Sequence, residues 1–162
     1  MGNEVDVIND AVAHATRRDG KYLTFSLAGE EYGIGILKIR EIIGMMPITS
    51  VPETPHFVKG VVNLRGKVIP VVDLRLRFGL PAIEATLDSR IVVGKAADRA
   101  VGLLVDSARE VLKLSEHEIS EPPSMVTDQA NGFVKAVARP GKRLLMLIDF
   151  LKVIGEEQLH GN

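Results

Sequence analysis

The chain repeats itself, and that repeat restricts what it can fold into more than any single motif does. Gly33-Ile34 through Ile39-Arg40-Glu41-Ile42 matches Gly102-Leu103 through Ala108-Arg109-Glu110-Val111, a shift of 69 positions (102 − 33). Asp73-Leu74 through Gly79 matches Asp149-Phe150 through Gly155, a shift of 76 (149 − 73). The difference predicts a longer loop in the second copy, around Glu118–Asn131. Gly66-Lys67 and Gly141-Lys142 each lead into an apolar strand. Two similar small β subdomains are predicted, each too short to bury an adequate core alone, so they should pack tightly together.

The local pattern is that of strands. Leu23, Phe25 and Leu27 alternate with Thr24 and Ser26, the period of a half-buried strand. A turn at Ala28-Gly29-Glu30 and renewed alternation at Tyr32, Ile34 and Ile36 make a hairpin. A single turn around Leu37–Ile39 precedes a further strand at Ile42-Ile43. Pro47, Pro52 and Pro55 then mark a surface loop. Phe57–Leu64 and Val68–Val72 read as strands around the tip Leu64-Arg65-Gly66-Lys67, with Gly66 supplying a positive φ. Pro70 cannot donate to a ladder, which predicts an edge strand or a bulge there. Asp73 is a plausible N-cap for a brief helix carrying Leu74, Leu76 and Phe78, ended by Gly79. In the second half, Ile91–Val93, Val101–Val105, Val111-Leu112, Phe133–Ala138 and Leu144–Ile148 continue the pattern. The expectation is an all-β fold with short helical turns.

Organisation follows: residues 1–20 as a flexible N-terminal arm, with Val5–Val12 able to form a short helix but expected to be loosely held; 21–155 as one domain of two intertwined subdomains; 156–162 as a tail. The N-terminus lacks the basic start and continuous apolar stretch of a secretory signal. No stretch approaches the roughly 20 apolar residues of a membrane span, so no membrane insertion is expected.

Composition narrows the function. The 162 residues carry a net charge of −1, which removes the electrostatic footprint of a duplex-binding protein. Aromatic residues are 4% and Trp is absent, a poor supply for base stacking. There is no Cys, so disulfides, thiol nucleophiles and thiolate metal sites are excluded. His14, His56, His117 and His160 are scattered, none in a metal-ligand spacing, and no metal or cofactor is expected. Gly33-Ile34-Gly35 lacks the third glycine of a dinucleotide fingerprint, since Lys38 stands there. Asp73 and Asp149 read as helix caps before they read as catalytic acids. Glu116, Glu118 and Glu121 read as a solvated acidic face. A nucleic-acid-binding small barrel built on Arg65, Lys67, Arg75 and Arg77, with Phe78 as their sole aromatic companion, and an enzyme using the scattered acids remain as other readings.

Asn63-Leu64-Arg65-Gly66 is the most informative stretch. Asn63 can hold the turn through neighbouring backbone. Nothing in the turn requires an arginine at 65. It is either a solvated charge or a planar fork for a partner's carboxylate or carbonyl. Arg40-Glu41 is either an ordinary surface pair or a polar rim around Ile39, Ile42 and Ile43.

Three segments, in order, resemble the signatures of the CheW family of bacterial chemotaxis coupling proteins: Glu31–Ile42, Phe57–Leu74 with its Asn63-Leu64-Arg65-Gly66 core, and Val101–Asp106 followed by Glu110-Val111-Leu112. The likeness spans about Lys21 to Gly155. It implies two packed five-stranded, SH3-like barrels and a non-catalytic scaffold in the cytoplasm, recruited to membrane-bound receptor arrays. The implied partners are the cytoplasmic hairpin tip of a chemoreceptor and the regulatory domain of the histidine kinase CheA. Receptor contacts in this family cluster in a groove between the barrels, which on matching positions implies Ile39, Glu41, Ile42, Gly60, Val62, Asn63 and Arg65. Val62 and Ile42 read equally well as core. Kinase-binding residues are not assigned. A CheW-like module of a non-chemotaxis two-component system would carry the same signatures.

Overall fold

The computed structural model describes residues 4–13, 20–123 and 132–155. A short helix α1 (Glu4–Ala13) precedes the hairpin β1 (Lys21–Leu27) and β2 (Glu30–Gly35). A 3-10 turn at Ile36–Lys38 leads into β3 (Ile39–Gly44), followed by β4 (Val58–Leu64), β5 (Lys67–Asp73) and helix α2 (Leu74–Arg77). Then come β6 (Arg90–Ala96), β7 (Arg99–Val105), β8 (Ser107–Lys113), a 3-10 turn at Glu116–Glu118 and β9 (Ile119–Ser120). β10 (Val134–Ala138), β11 (Leu145–Ile148) and helix α3 (Phe150–Ile154) complete the described chain. The all-β expectation holds: among the described residues between Lys21 and Ile148 the regular structure is strand, apart from one short helix and two 3-10 turns.

The strands form two barrel-like sheets. The first runs β8-β1-β2-β11-β10-β9 and the second β3-β6-β7-β5-β4. Each sheet draws on both repeats. The hairpin β1–β2 of the first repeat joins strands from the second, and the hairpin β6–β7 of the second joins β3, β4 and β5 of the first. The crossing points are the Arg-acid segments of the repeat. β2 passes to β3, and β7 to β8, and each passage changes sheet.

The symmetry extends to single residues. β11 runs parallel to β2 with Leu147 beside Gly33; β5 runs parallel to β7 with Val71 beside Gly102. β4 is bulged between Val58 and Gly60, β10 between Val134 and Ala136. Arg40 falls in the register shift between Ile39 and Glu41. Arg109 falls in the matching irregularity, where Thr24 pairs with Glu110 and Phe25 with Ala108. Bulges re-aim the side chains they carry, which accounts for an arginine at both places on the surface. Thr24, fully buried, donates to the Glu110 carbonyl and accepts from its N–H, both at 3.1 Å, satisfying the bulged ladder.

Three apolar clusters hold this together. One fills the second barrel with Val62, Ile69, Val71, Ile91 and Val93. Another fills the first with Leu114, Ala138, Leu145 and Leu147. The largest lies between the sheets and takes residues from both, including Leu23, Phe25, Ile34, Ile42, Val72, Leu103, Ile148 and Phe150. That shared core is the physical form of two units too small to stand alone. It also tolerates exchange of bulk between equivalent places: Phe25 and Leu74 in one repeat match Gly94 and Phe150 in the other. A Cβ on Gly94 would stand 2.4 Å from the Phe150 ring.

Both predicted caps are present. Asp73 Oδ1 accepts from the N–H groups of Arg75 and Leu76, and Asp149 Oδ1 from those of Leu151 and Lys152. At the junction of the repeats, the Arg77 guanidinium lies 4.0 Å from the Phe57 ring centre and 4.7 Å from that of Phe133. It donates to the carbonyls of Val153 and Lys152, tying α2 to the end of α3.

Three expectations need correction. β5 is an inner strand, between β7 and β4; its pairing with β7 begins only at Val71, so Pro70 lies on the stretch whose second edge is still open. Glu118 is not simply part of a solvated face, because its carboxylate accepts from the Ser115 N–H and Oγ–H, closing a capping box. The N-terminal arm, expected to be loosely held, is a docked helix over 4–13: Ile8 is buried, and the helix lies on β3 and β8. The tail 156–162 and most of the longer second-repeat loop, 124–131, lie outside the described residues, as do His14 and His160.

Candidate functional site

The tip of β4–β5 shows how the most informative segment is built. Arg65 and Gly66 both have positive φ, 51° and 87°. Two successive residues of that kind match the twist of a two-residue hairpin. Only the glycine adopts the conformation without steric cost. Asn63 Oδ1 accepts from the Gly66 N–H at 2.9 Å and holds the tip, its turn-stabilising role. Arg65 projects from the tip, 68% exposed, and pairs with Glu41 of β3. The carboxylate that the Arg65 fork was expected to seek in a partner is supplied in part by its own chain, and Glu41 pairs across the sheet with Arg65.

This pair stands in a groove of about 630 Å³. Arg40 and Glu41 of β3, Leu64, Arg65 and Lys67–Pro70 of the β4–β5 hairpin and Val93, Lys95, Asp98, Arg99 and Ala100 of the β6–β7 hairpin surround it. Five basic side chains face two acidic ones, so the groove carries positive charge although the whole chain is nearly neutral. Val68, 68% exposed, adds an apolar patch at the rim. Its equivalent on the first barrel, Leu144, is also exposed.

The matching region of the first barrel is closed. Glu31 of β2 takes both Arg143 and Arg109, and Arg143 also reaches Glu110 at 2.9 Å. In the second repeat the position equivalent to Glu31 is Ala100 (31 + 69). Without that carboxylate the cations are not gathered as Arg143 and Arg109 are around Glu31; Glu41 holds Arg65, and the groove stays open.

The seven residues implied by resemblance therefore divide. Glu41 and Arg65 lie on the surface at the groove, and Asn63 is exposed beside the tip it holds. Ile42, Val62 and Ile39 are buried, at 0%, 2% and 6% exposure, in the shared core and the second barrel. Gly60 has a backbone role. Thr49 exchanges two 2.8 Å hydrogen bonds with Val61 as the proline-rich loop crosses β4. A Cβ on Gly60 would lie 2.2 Å from the Thr49 carbonyl oxygen. The groove is bounded by strands of the second sheet alone; the seam between the sheets, on the β3 and β8 side, carries α1. Sequence reasoning missed Lys95, Asp98 and Arg99, which reach the groove only because β6–β7 is exchanged into the second sheet.

A second polar link joins the repeats. Arg75 makes a two-pronged contact with Asp106, at 2.9 and 2.7 Å, and Asp106 also accepts from the Ala28 N–H at 2.8 Å. Burial works to raise the Asp106 carboxyl, but the Arg75 fork and the Ala28 N–H outweigh it and hold it below the usual carboxylate range. Among the described residues no group of three His, Asp or Glu side chains could hold a metal ion, and no helix is long and apolar enough to cross a membrane.

Comparison with known proteins converges. The chemotaxis protein CheW of Klebsiella aerogenes is 35% identical over 139 residues, covering 86% of this chain and 84% of that protein. The chemotaxis protein CheW of Bacillus subtilis is 35% identical over 137 residues, covering 85% of this chain and 88% of that one. The crystal structure of the scaffolding protein TtCheW from Thermoanaerobacter tengcongensis superposes with a TM-score of 0.73 at 40% identity, over 80% of this chain and 88% of that one. Residues 21–158 match the CheW-like domain. With its exchanged hairpins, its shared core and its Asn63–Gly66 tip, the chain belongs to the CheW-like domain family.

Proposed function

We propose that the protein is a chemotaxis adaptor, coupling methyl-accepting chemoreceptors to the histidine kinase CheA as a non-catalytic scaffold in signalling arrays. The observation that carries this reading is the match to proteins named for chemotaxis and scaffolding along nearly their whole length. The adaptor works in the cytoplasm beside the receptor tips. The receptor hairpin meets the β3 face and the basic groove, where Arg65 and Glu41 fix its register through polar contacts and burial of apolar side chains supplies most of the affinity, at roughly 25 cal/mol per Å². The output is geometric: a receptor shift reaches the kinase through a rigid two-barrel body. Single contacts of this size are weak, on the order of micromolar, and gain strength from repetition in an array.

The test is an NMR titration with the isolated receptor tip and with the CheA regulatory domain, wild type beside Arg65→Ala and Glu41→Ala. Binding to both partners, with receptor binding weakened in both variants and their spectra otherwise native, is the expected result. Binding to neither partner sinks the reading.

A further inference from the structure

The helix α1 has no place in the repeat, yet it occupies the most symmetrical site on the molecule. β3 and β8 are equivalent strands, each the outermost of its sheet, and α1 lies on both. Val5, Ile8 and Val12 face inward and join the shared core beside Val111, while Asp6, Val7, Asp10 and Ala11 face solvent. Between the apolar residues sits Asn9. Its Nδ2–H donates to the Ile42 carbonyl at 2.8 Å, and its Oδ1 accepts from the Ile42 N–H at 2.6 Å. One side-chain amide thus makes the two bonds that a neighbouring strand would make to this edge, and the exposed backbone of β3 is satisfied by a helix.

A helix of 10 residues is below the roughly 12–15 at which an isolated helix becomes even marginally stable in water. The fold of α1 therefore depends on the surface it covers. That surface accepts an amphipathic helix with an apolar stripe and one central amide, and it belongs to β3, the strand on which Ile39, Glu41 and Ile42 stand.

We propose that the seam between β3 and β8 is a helix seat whose resident occupant is α1, and that a partner helix engages it by displacing α1. Resting on the adaptor reading, the displacing helix is one arm of the receptor hairpin. The N-terminal segment is then an internal competitor that lowers the apparent affinity for the receptor in proportion to the fraction of open molecules. Release of α1 frees the backbone edge of Ile42 on β3 and uncovers Val111 on β8, so the two sheets are engaged by one ligand at once.

The test uses the full chain with Ile8→Asp and, separately, Asn9→Pro, which breaks the helix and removes both bonds to Ile42. Val7→Ser, on the solvent face, is the control. Three quantities are read: exchange of the Ile42 amide, affinity for the isolated receptor-tip hairpin, and binding of a synthetic peptide of residues 1–19 added in trans. Expected results are at least tenfold faster exchange at Ile42 in both variants and at least threefold tighter hairpin binding. The peptide should bind the variants but not wild type or Val7→Ser. Equal or weaker hairpin binding by natively folded variants overturns displacement. If the hairpin binds no form of the protein, the adaptor reading fails. The peptide then decides alone: binding only to the opened variants upholds the self-occupied seat, and indifferent binding overturns it.

Discussion

The guanidinium of Arg77 donates to the main-chain carbonyl of Val153 at 2.7 Å, and Val153 is the residue that holds Arg77's own place in the other repeat. The two copies are joined by a contact that only one of them can make. The equivalent rings Phe57 and Phe133 flank the same guanidinium, and burial lowers its pKa from the usual arginine range without discharging it. Arg77→Ala leaves two carbonyls and two ring faces without their partner. It should cost about 2–3 kcal/mol in urea unfolding. Arg77→Lys, which lacks the planar fork, should recover less than half of that.

Asp106 titrates lower in the folded protein than in the unfolded chain, where its value is near 3.8. Its contribution is complete above that value and disappears as pH falls through the lower folded one. Asp106→Asn should therefore be less stable than wild type by about 2 kcal/mol at pH 7. The gap should narrow as pH falls below 3.8 and through the lower folded value, measured by denaturant titration across the range.

Gly60→Ala tests whether that position acts through backbone or contact. The Thr49 carbonyl leaves no space for a methyl group, and a loss of about 3 kcal/mol is expected. Partner affinity per folded molecule should be unchanged. A fully stable variant with weakened binding would reassign Gly60 to the interface.

Arg65→Ala separates in the opposite sense. The Arg65–Glu41 pair is largely solvated, so stability should fall by less than about 1 kcal/mol. Receptor-tip affinity should fall about tenfold, the effect of losing roughly 1.4 kcal/mol of interaction.

Ala100→Glu should close the groove. The new carboxylate would stand where Glu31 gathers Arg143 and Arg109 in the first barrel, here with Arg40, Arg65 and Lys67 around it. Receptor affinity should drop while the Tm is unchanged or slightly raised.

Much of this architecture was legible in the residues. Alternation at Leu23, Phe25 and Leu27 gave the first hairpin, and the carboxylates at Asp73 and Asp149 gave both caps, because strand period and capping are local rules. The turn at Asn63–Gly66 was equally local. Burial of Ile39, Ile42 and Val62 was less so: a signature records which residues a family keeps, and core positions and contact positions are kept alike. The open groove was beyond reach, since Lys95, Asp98 and Arg99 lie some thirty residues along the chain from Arg65 and meet it only through the hairpin exchange. Helix α1 did carry a signal, apolar residues at 5, 8 and 12, but its terminal position argued for a loose arm. The decisive bond, from Asn9 to the backbone of Ile42, is one that no periodicity encodes.

The exchanged hairpins have a consequence for how such a chain can arise and come apart. One repeat by itself owns no complete sheet: its hairpin lacks neighbours, and its three later strands lack the hairpin that should lie among them. Two separate copies would supply each other and form a two-fold homodimer with both sheets closed. The segment between α2 and β6 is then a tether between interlocked partners rather than a hinge between lobes. Nicking it should leave two fragments that migrate as one body, and diluting them should unfold both together.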